Sequence, residues 1–204
     1  MIDKNPFLVS VRSRVTLEQR QAKNGHKGAV FWMTGLSGSG KSTIAHLVEE
    51  ALFKRGVQVV VFDGDNIRTG LNVNLGFSDE DRYENVRRTA EMAKLFCRAG
   101  FVVICSLITP KKKLRELAQQ IVGEDFFNEI FVDCPLEECE RRDEKAFYAK
   151  ARQGIIKNYT GLGSSYEAPT QASCRLCTLA VPAGQSAETL LHFIQERIRL
   201  PLEL

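Results

Sequence analysis

Gly35, Gly40, Lys41 and Ser42 satisfy the spacing G-x-x-x-x-G-K-[ST] directly after the apolar run AVFWMT and directly before IAHLVEEALFKRG. That pattern suits the gripping of a polyphosphate. Glycines let the backbone turn its N–H groups inward, a following helix adds positive partial charge, a lysine bridges the outer phosphates and a hydroxyl can ligate Mg²⁺. Gly35, Ser37, Gly38, Ser39, Gly40, Lys41, Ser42 and Thr43 are therefore the candidate polyphosphate cradle. A second constellation, DGDNIRTGLNVNLGFSDEDRYENVRR from Asp63 to Arg88, opens at the end of another apolar run. One of its carboxylates can help hold Mg²⁺ while the other takes a proton from an attacking hydroxyl, which points to phosphoryl transfer. Arg68, Arg82, Arg87 and Arg88 suit phosphate or sulfate oxygens. Arg87 and Arg88 fit equally well on a solvated helix face, paired with Glu84 and Glu91. Phe77, taken alone, reads more readily as a core residue than as a ligand contact.

These groups need a frame, and the patterning supplies one. Short apolar runs (AVFWMT, VQVVVF, FVVICS, EIFVDC, CTLAV) alternate with amphipathic stretches beginning near Lys41, Asp79, Lys111, Leu136 and Ser186. Gly56 and Gly100 stand where two of the helices should end. The alternation predicts an α/β protein, a three-layer P-loop NTPase fold with a mainly parallel five-stranded sheet and helices on both faces. Ligands of such sheets bind at the carboxyl ends of the strands, so Asp63 and Asp65 should share a crevice with the phosphate loop. Residues 153–173, rich in Gly, Ser and Pro, read as a long functional loop.

Length and composition narrow the function classes. With 204 residues and 44% apolar content the chain has the size of a single domain. A net charge of +3 gives no case for nucleic acid. No run approaches a membrane span or a signal peptide, so the expected location is cytoplasmic. Six cysteines are present, and Cys97, Cys105 and Cys134 fall where buried thiols belong. Cys174 and Cys177 have metal or redox spacing, but without a second ligand pair they read as ordinary thiols. The absence of an N-K-x-D segment argues against a GTP-reading switch.

The blocks DGDNIRTGLN, LGFS, DRYENVRR, RRDEKAFYAKAR and YTGLGSSYEAP resemble the adenylylsulfate kinase (APS kinase) family, from about Val15 to Pro169. The resemblance implies a single kinase domain over 1–204, with an N-terminal extension (1–27) and a lid and substrate loop (141–170). It implies ATP and Mg²⁺, with adenosine 5′-phosphosulfate as the partner substrate and its ribose 3′-hydroxyl as the acceptor. It also implies a homodimer and functional coupling to a sulfate adenylyltransferase. Residue by residue, Lys41, Asp63, Asp65 and Thr109 match catalytic positions, with Asp65 the candidate base and Asp63 and Ser42 near the metal. Arg68, Arg82 and Asn85 match substrate contacts, Phe77 and Tyr159 the aromatics that sandwich the substrate adenine, and Arg142 and Lys145 lid cations over the nucleotides, with Lys150 and Arg152 further along.

The chain departs from the family in places. Tyr159 replaces a usual Phe, and Glu144, Ala146 and Phe147 break the common Asp-Pro-Lys-Gly-Leu-Tyr lid. SLITP stands where Ser-Phe-Ile-Ser-Pro is common, so Thr109 occupies the place of a serine that some members phosphorylate. Lys111 to Lys113 replace an aromatic-plus-arginine pattern and read as a solvated helix start. Two other readings stay open: another small-molecule P-loop kinase, and a silent regulatory domain that binds 3′-phosphoadenylylsulfate.

Overall fold

The computed structural model describes residues 11, 13–143, 146–156 and 158–200. Its helices and strands run in the order α1 (Leu17–Asn24), β1 (Ala29–Thr34), α2 (Lys41–Phe53), β2 (Val59–Asp63), α3 (Gly64–Thr69), α4 (Asp79–Arg98), β3 (Val102–Ser106), α5 (Lys112–Val122), β4 (Phe127–Asp133), α6 (Leu136–Arg141), α7 (Phe147–Arg152), β5 (Cys174–Cys177) and α8 (Ala183–Ile198). The five strands form one sheet in the order β2-β3-β1-β4-β5, and every pairing is parallel.

Side-chain alternation along β1 divides the core in two, because successive residues of a strand point to opposite faces. Phe31 and Met33 pack with Ile44, Val48 and Leu52 of α2 and Leu190 and Ile194 of α8. Val30 and Trp32 pack on the other face with Val86, Ala90 and Ala93 of α4 and Leu114 and Ala118 of α5. All of β1 is buried, as a central parallel strand covered on both sides must be. Gly56 (φ 79°) and Gly100 (φ 98°) adopt the left-handed backbone that closes α2 and α4.

The fifth strand falls three residues earlier than expected. CRLC, not CTLAV, pairs with β4, with Ile130 opposite Cys174 and Asp133 opposite Cys177. The Thr178 N–H still reaches the Asp133 carbonyl at 2.9 Å. After it Ala180 turns left-handed (φ 55°) and Pro182 caps α8, so the helix starts at Ala183 rather than near Ser186. An odd separation along a strand sends the two cysteines to opposite faces. Cys174 packs against the α2/α8 core and Cys177 is exposed, and both are free thiols.

At the sheet edge, β2 carries outward-facing N–H groups that no strand pairs. Glu49 of α2 reaches across, and its Oε1 accepts from the Val61 N–H at 3.0 Å. The parallel arrangement brings Thr34, Asp63, Ser106, Asp133 and Cys177 to one end of the sheet. β1, whose neighbours β3 and β4 lie on either side, delivers the glycine loop at the point where the strand order reverses.

Candidate active site

A cleft of about 770 Å³ opens at that end of the sheet. Ser37 to Thr43 of the glycine loop form one wall. Gly40 caps α2 at φ 98°, and Gly38, at φ 77°, would place any Cβ 2.7 Å from the Cys139 carbonyl oxygen. Only glycine fits the backbone at both places. Lys41 is buried, and its Nζ donates to the carbonyls of Gly35 (2.9 Å) and Leu36 (2.7 Å) and to Ser39 Oγ (3.4 Å). Burial lowers its pKa to about 8, against an opposing pull from Cys139 and the nearby Asp63 and Asp65. A polyphosphate in the loop supplies the negative charge this ammonium lacks.

Asp63 ends β2 and caps α3. Its Oδ1 accepts from the Asp65 N–H at 3.0 Å and its Oδ2 from the Ser42 hydroxyl at 2.6 Å. Ser106, at the end of β3, lies 3.2 Å from Ser42 Oγ. This group of hydroxyl and carboxylate oxygens is the hard donor set that Mg²⁺ selects when phosphates and water supply its remaining ligands. Asp65 lines the same cleft from the first turn of α3.

The opposite wall presents hydrogen-bond donors. Arg68 lies 4.5 Å from the centre of the Phe77 ring and donates to the carbonyls of Leu75 (3.2 Å) and Gly76 (2.7 Å). Arg82 donates to the Phe77 carbonyl (3.0 Å), the Asn158 carbonyl (3.1 Å) and Thr160 Oγ1 (3.4 Å), so it ties the Phe77 turn to the Tyr159 loop. Among the described residues neither guanidinium lies within ion-pair distance of a carboxylate. Burial lowers both pKa values, and for Arg68 the neighbouring Arg82 charge lowers it further. Asp65 and Asp81 act on Arg68 and Asp79 on Arg82 without pairing them, so two partly buried cations present unmatched donors to the cleft. Phe77, Asn85 and Tyr159 line this region, and Phe77 is 63% exposed, so its ring lines the cleft rather than the core.

The segment after β4 closes the cleft over the glycine loop. Arg142 donates to Glu138 Oε1 (2.7 Å) and to the Thr178 carbonyl (2.7 Å), which fixes its guanidinium in the wall with Val181 and Ala183. Arg152 is held away from the cleft by Glu140 at 2.6 Å, and Lys150 sits over the Phe147 ring at 5.5 Å. Lys145 lies outside the described residues. Arg87 and Arg88 both belong to Glu84, whose carboxyl they hold down at about 2, and neither lines the cleft. The helix-face reading is the right one for that pair.

Comparison with known proteins decides what this arrangement belongs to. The model of the adenylylsulphate kinase family matches residues 27–177. The chain is 50% identical over 184 residues to a probable adenylyl-sulfate kinase of Halalkalibacterium halodurans, covering 90% of this chain and 88% of that protein. It is 45% identical to the adenylyl-sulfate kinase of Bacteroides thetaiotaomicron over 97% of this chain and 98% of that one. Its fold superposes with TM-score 0.80 on the Mycobacterium tuberculosis APS kinase in complex with AMPPNP and APS, at 42% identity over 83% of this chain and 98% of that one. The chain belongs to the adenylylsulfate kinase family. A Sinorhizobium meliloti gluconokinase, at 17% identity and TM-score 0.58, shares the fold alone.

Within the adenylylsulfate kinase frame, contacts that sequence did not reveal hold the site together. The hydroxyl of buried Thr109 accepts from the Trp32 indole N–H at 3.0 Å, and the Thr109 carbonyl accepts from Arg115 at 3.2 Å. Thr109 has φ 39°, a backbone that β-branched residues avoid, and these bonds hold it there at the cleft wall. Its hydroxyl meets the Trp32 indole while the residue itself lines the cleft wall. Arg115 in turn pairs with Glu129 at 2.6 Å, a side chain whose pKa burial raises. Tyr148 donates to the Ser37 carbonyl at 2.9 Å and meets Tyr159 edge-on at 4.9 Å between ring centres. Thr178 donates to the Ser39 carbonyl at 3.0 Å. Lys111 is not a solvated lysine, since it reaches Ser165 Oγ (2.5 Å) and Glu167 (3.6 Å), whereas Lys112 and Lys113 are exposed. These contacts join residues far apart in sequence, and composition or spacing carries no trace of them.

Proposed function

We propose that this protein is an adenylylsulfate kinase, which transfers the γ-phosphoryl group of ATP to the 3′-hydroxyl of adenosine 5′-phosphosulfate to give ADP and 3′-phosphoadenylylsulfate. One observation carries the reading. The glycine loop with Lys41 and the donor wall of Arg68, Arg82 and Asn85 line one cleft, together with Asp63 and Asp65. That cleft suits two anionic nucleotides meeting at their reacting ends.

In this reading Ser37 to Thr43 hold the ATP phosphates through the loop backbone and Lys41, which leaves its loop carbonyls for the phosphate oxygens. Arg142, fixed by Glu138 and Thr178, flanks the ATP end. Ser42 and Asp63 would hold Mg²⁺, which supplies neutralisation of the charge that builds on the transferring group. Phe77 and Tyr159 stack the substrate adenine, and Arg82 keeps their two segments at a fixed spacing. Arg68, Arg82 and Asn85 take the phosphosulfate oxygens. Asp65 accepts the proton as the 3′-oxygen attacks and the bond to the leaving ADP breaks. Lid residues around Phe147 exclude water that would otherwise compete as acceptor.

Thr109 stays unmodified throughout, since direct in-line transfer needs no covalent intermediate. The family resemblance also supports a cytoplasmic homodimer. The mixed anhydride of the substrate must come from a sulfate-activating adenylyltransferase. The test is ADP release measured with adenylylsulfate and with a panel of nucleosides and sugars. Turnover confined to adenylylsulfate is expected; preference for a sugar, or binding without turnover, overturns the proposal.

A further inference from the structure

Behind the donor wall lies a polar pair for which neither packing nor the phosphoryl chemistry gives a reason. Asn72, on the turn after α3, is completely buried. Its Nδ2 donates to Asn85 Oδ1 at 3.0 Å, and its own Oδ1 is buried with no hydrogen-bond partner among the described residues. An orphaned amide oxygen in the interior is destabilising, and an apolar side chain of the same shape would avoid it. Asn85, itself buried, lines the cleft and makes no other side-chain hydrogen bond among the described residues. A primary amide has an accepting end and a donating end, and its function depends on which one meets the ligand. With Oδ1 held by Asn72, the amine is the end left for the cleft.

We propose that Asn72 is a positioning residue that sets the Asn85 amide so the substrate wall donates hydrogen bonds and accepts none. With Arg68 and Arg82 alongside, that wall selects a substrate whose facing atoms are all hydrogen-bond acceptors, as sulfate, phosphate and ester oxygens are. It discriminates against uncharged sugars, whose hydroxyl groups need acceptors as well as donors. The proposal rests on the assignment of this wall to adenylylsulfate.

The surroundings of Asn72 keep the pair in place. The Asn72 N–H donates to the Ile67 carbonyl at 2.9 Å. Arg88 donates to the Leu71 carbonyl (3.3 Å) and to Asn74 Oδ1 (2.9 Å), which clamps the turn to α4 on both sides of Asn72. The Arg88 and Glu84 pair, absent from the cleft itself, thus holds the residue that orients a cleft amide.

The experiment is steady-state kinetics on Asn72→Leu, Asn72→Asp, Asn85→Ala and the double variant N72L/N85A. Asn72→Leu should raise KM for adenylylsulfate about tenfold, the worth of one oriented hydrogen bond to a charged ligand, and leave KM for ATP within about twofold. Its thermal midpoint should stay close to that of the wild type, because removal of the orphaned oxygen offsets loss of the bond to Asn85. Asn72→Asp offers an acceptor to the Asn85 amine, turns Oδ1 toward the substrate and should cost more than Asn72→Leu. In the Asn85→Ala background Asn72→Leu should add nothing. Equal losses for both substrates, or the same added factor with Asn85 removed, overturn the proposal and leave the kinase assignment standing. A wild-type protein that does not turn over adenylylsulfate overturns both.

Discussion

Lys41 should make nucleotide affinity depend on pH in a range where simple lysines are silent. In the free protein burial brings its pKa to about 8, and a bound polyphosphate must raise it again. The complex then holds more protons than the free protein between pH 8 and the raised value. Affinity is therefore complete below pH 8 and is lost as pH rises through it. With a pKa of about 8, roughly nine-tenths of the free protein carries the ammonium at pH 7, about half at pH 8 and about a tenth at pH 9. Affinity for a nonhydrolysable ATP analogue should fall about tenfold from pH 7 to pH 9, or ~1.4 kcal/mol. Calorimetry in buffers of different ionisation enthalpy should register about half a proton taken up per nucleotide at pH 8, rising toward one at pH 9. Lys41→Arg, charged throughout, should bind weakly but without that slope. A flat affinity from pH 7 to pH 9 with no proton uptake would refute the argument, because it would mean the buried ammonium is already fully compensated by the loop carbonyls.

Other outcomes follow from the same contacts. Arg82→Ala should weaken adenylylsulfate by about 10- to 100-fold and ATP far less, since it removes a cation and frees the Tyr159 loop from the Phe77 turn; binding of each nucleotide measured separately checks this. Thr109→Ala should lower stability by about 1 kcal/mol through loss of the Trp32 bond while leaving kcat within a few-fold, and intact mass after incubation with ATP should show no phosphoprotein. Tyr159→Phe should change stability by less than about 1 kcal/mol, because Ser37 is the one polar neighbour of the buried Tyr159 hydroxyl among the described residues and meets it weakly; denaturant unfolding decides. Arg115→Ala should cost about 1–3 kcal/mol by leaving half-buried Glu129 unpaired, measured the same way.

The frame was legible wherever a period repeats. The unbroken apolar run AVFWMT and the near four-residue spacing after Lys41 are imposed by a core on both faces of the sheet, so local pattern and tertiary outcome agree. The last strand misled because CTLAV is the more apolar run, yet pairing with β4 begins at Cys174 and the following apolar residues turn toward the cleft. Helix α1 has no buried residue and so leaves no apolar stripe to find, although Thr16 and Gln19 cap its start reciprocally. In the site, the glycine loop and Asp63 announce themselves because their chemistry depends on short spacing. Trp32 lies 77 residues from Thr109 and Thr178 lies 36 from Arg142, and no local pattern encodes such bonds. Arg87 and Arg88 show the converse, since arginines in a substrate-like block were resolved only by seeing which carboxylate held them.

The Glu49 carboxylate on the Val61 N–H bears on how copies of this protein can associate. Joining sheets side by side requires free donors along β2, and the central outward one is already taken by a side chain from the neighbouring helix. A second molecule that approached there would have to displace a charge-assisted bond and strand a carboxylate before gaining its first rung. Self-assembly is thereby steered away from sheet extension and toward helical surfaces, which favours a finite complex over a growing fibre.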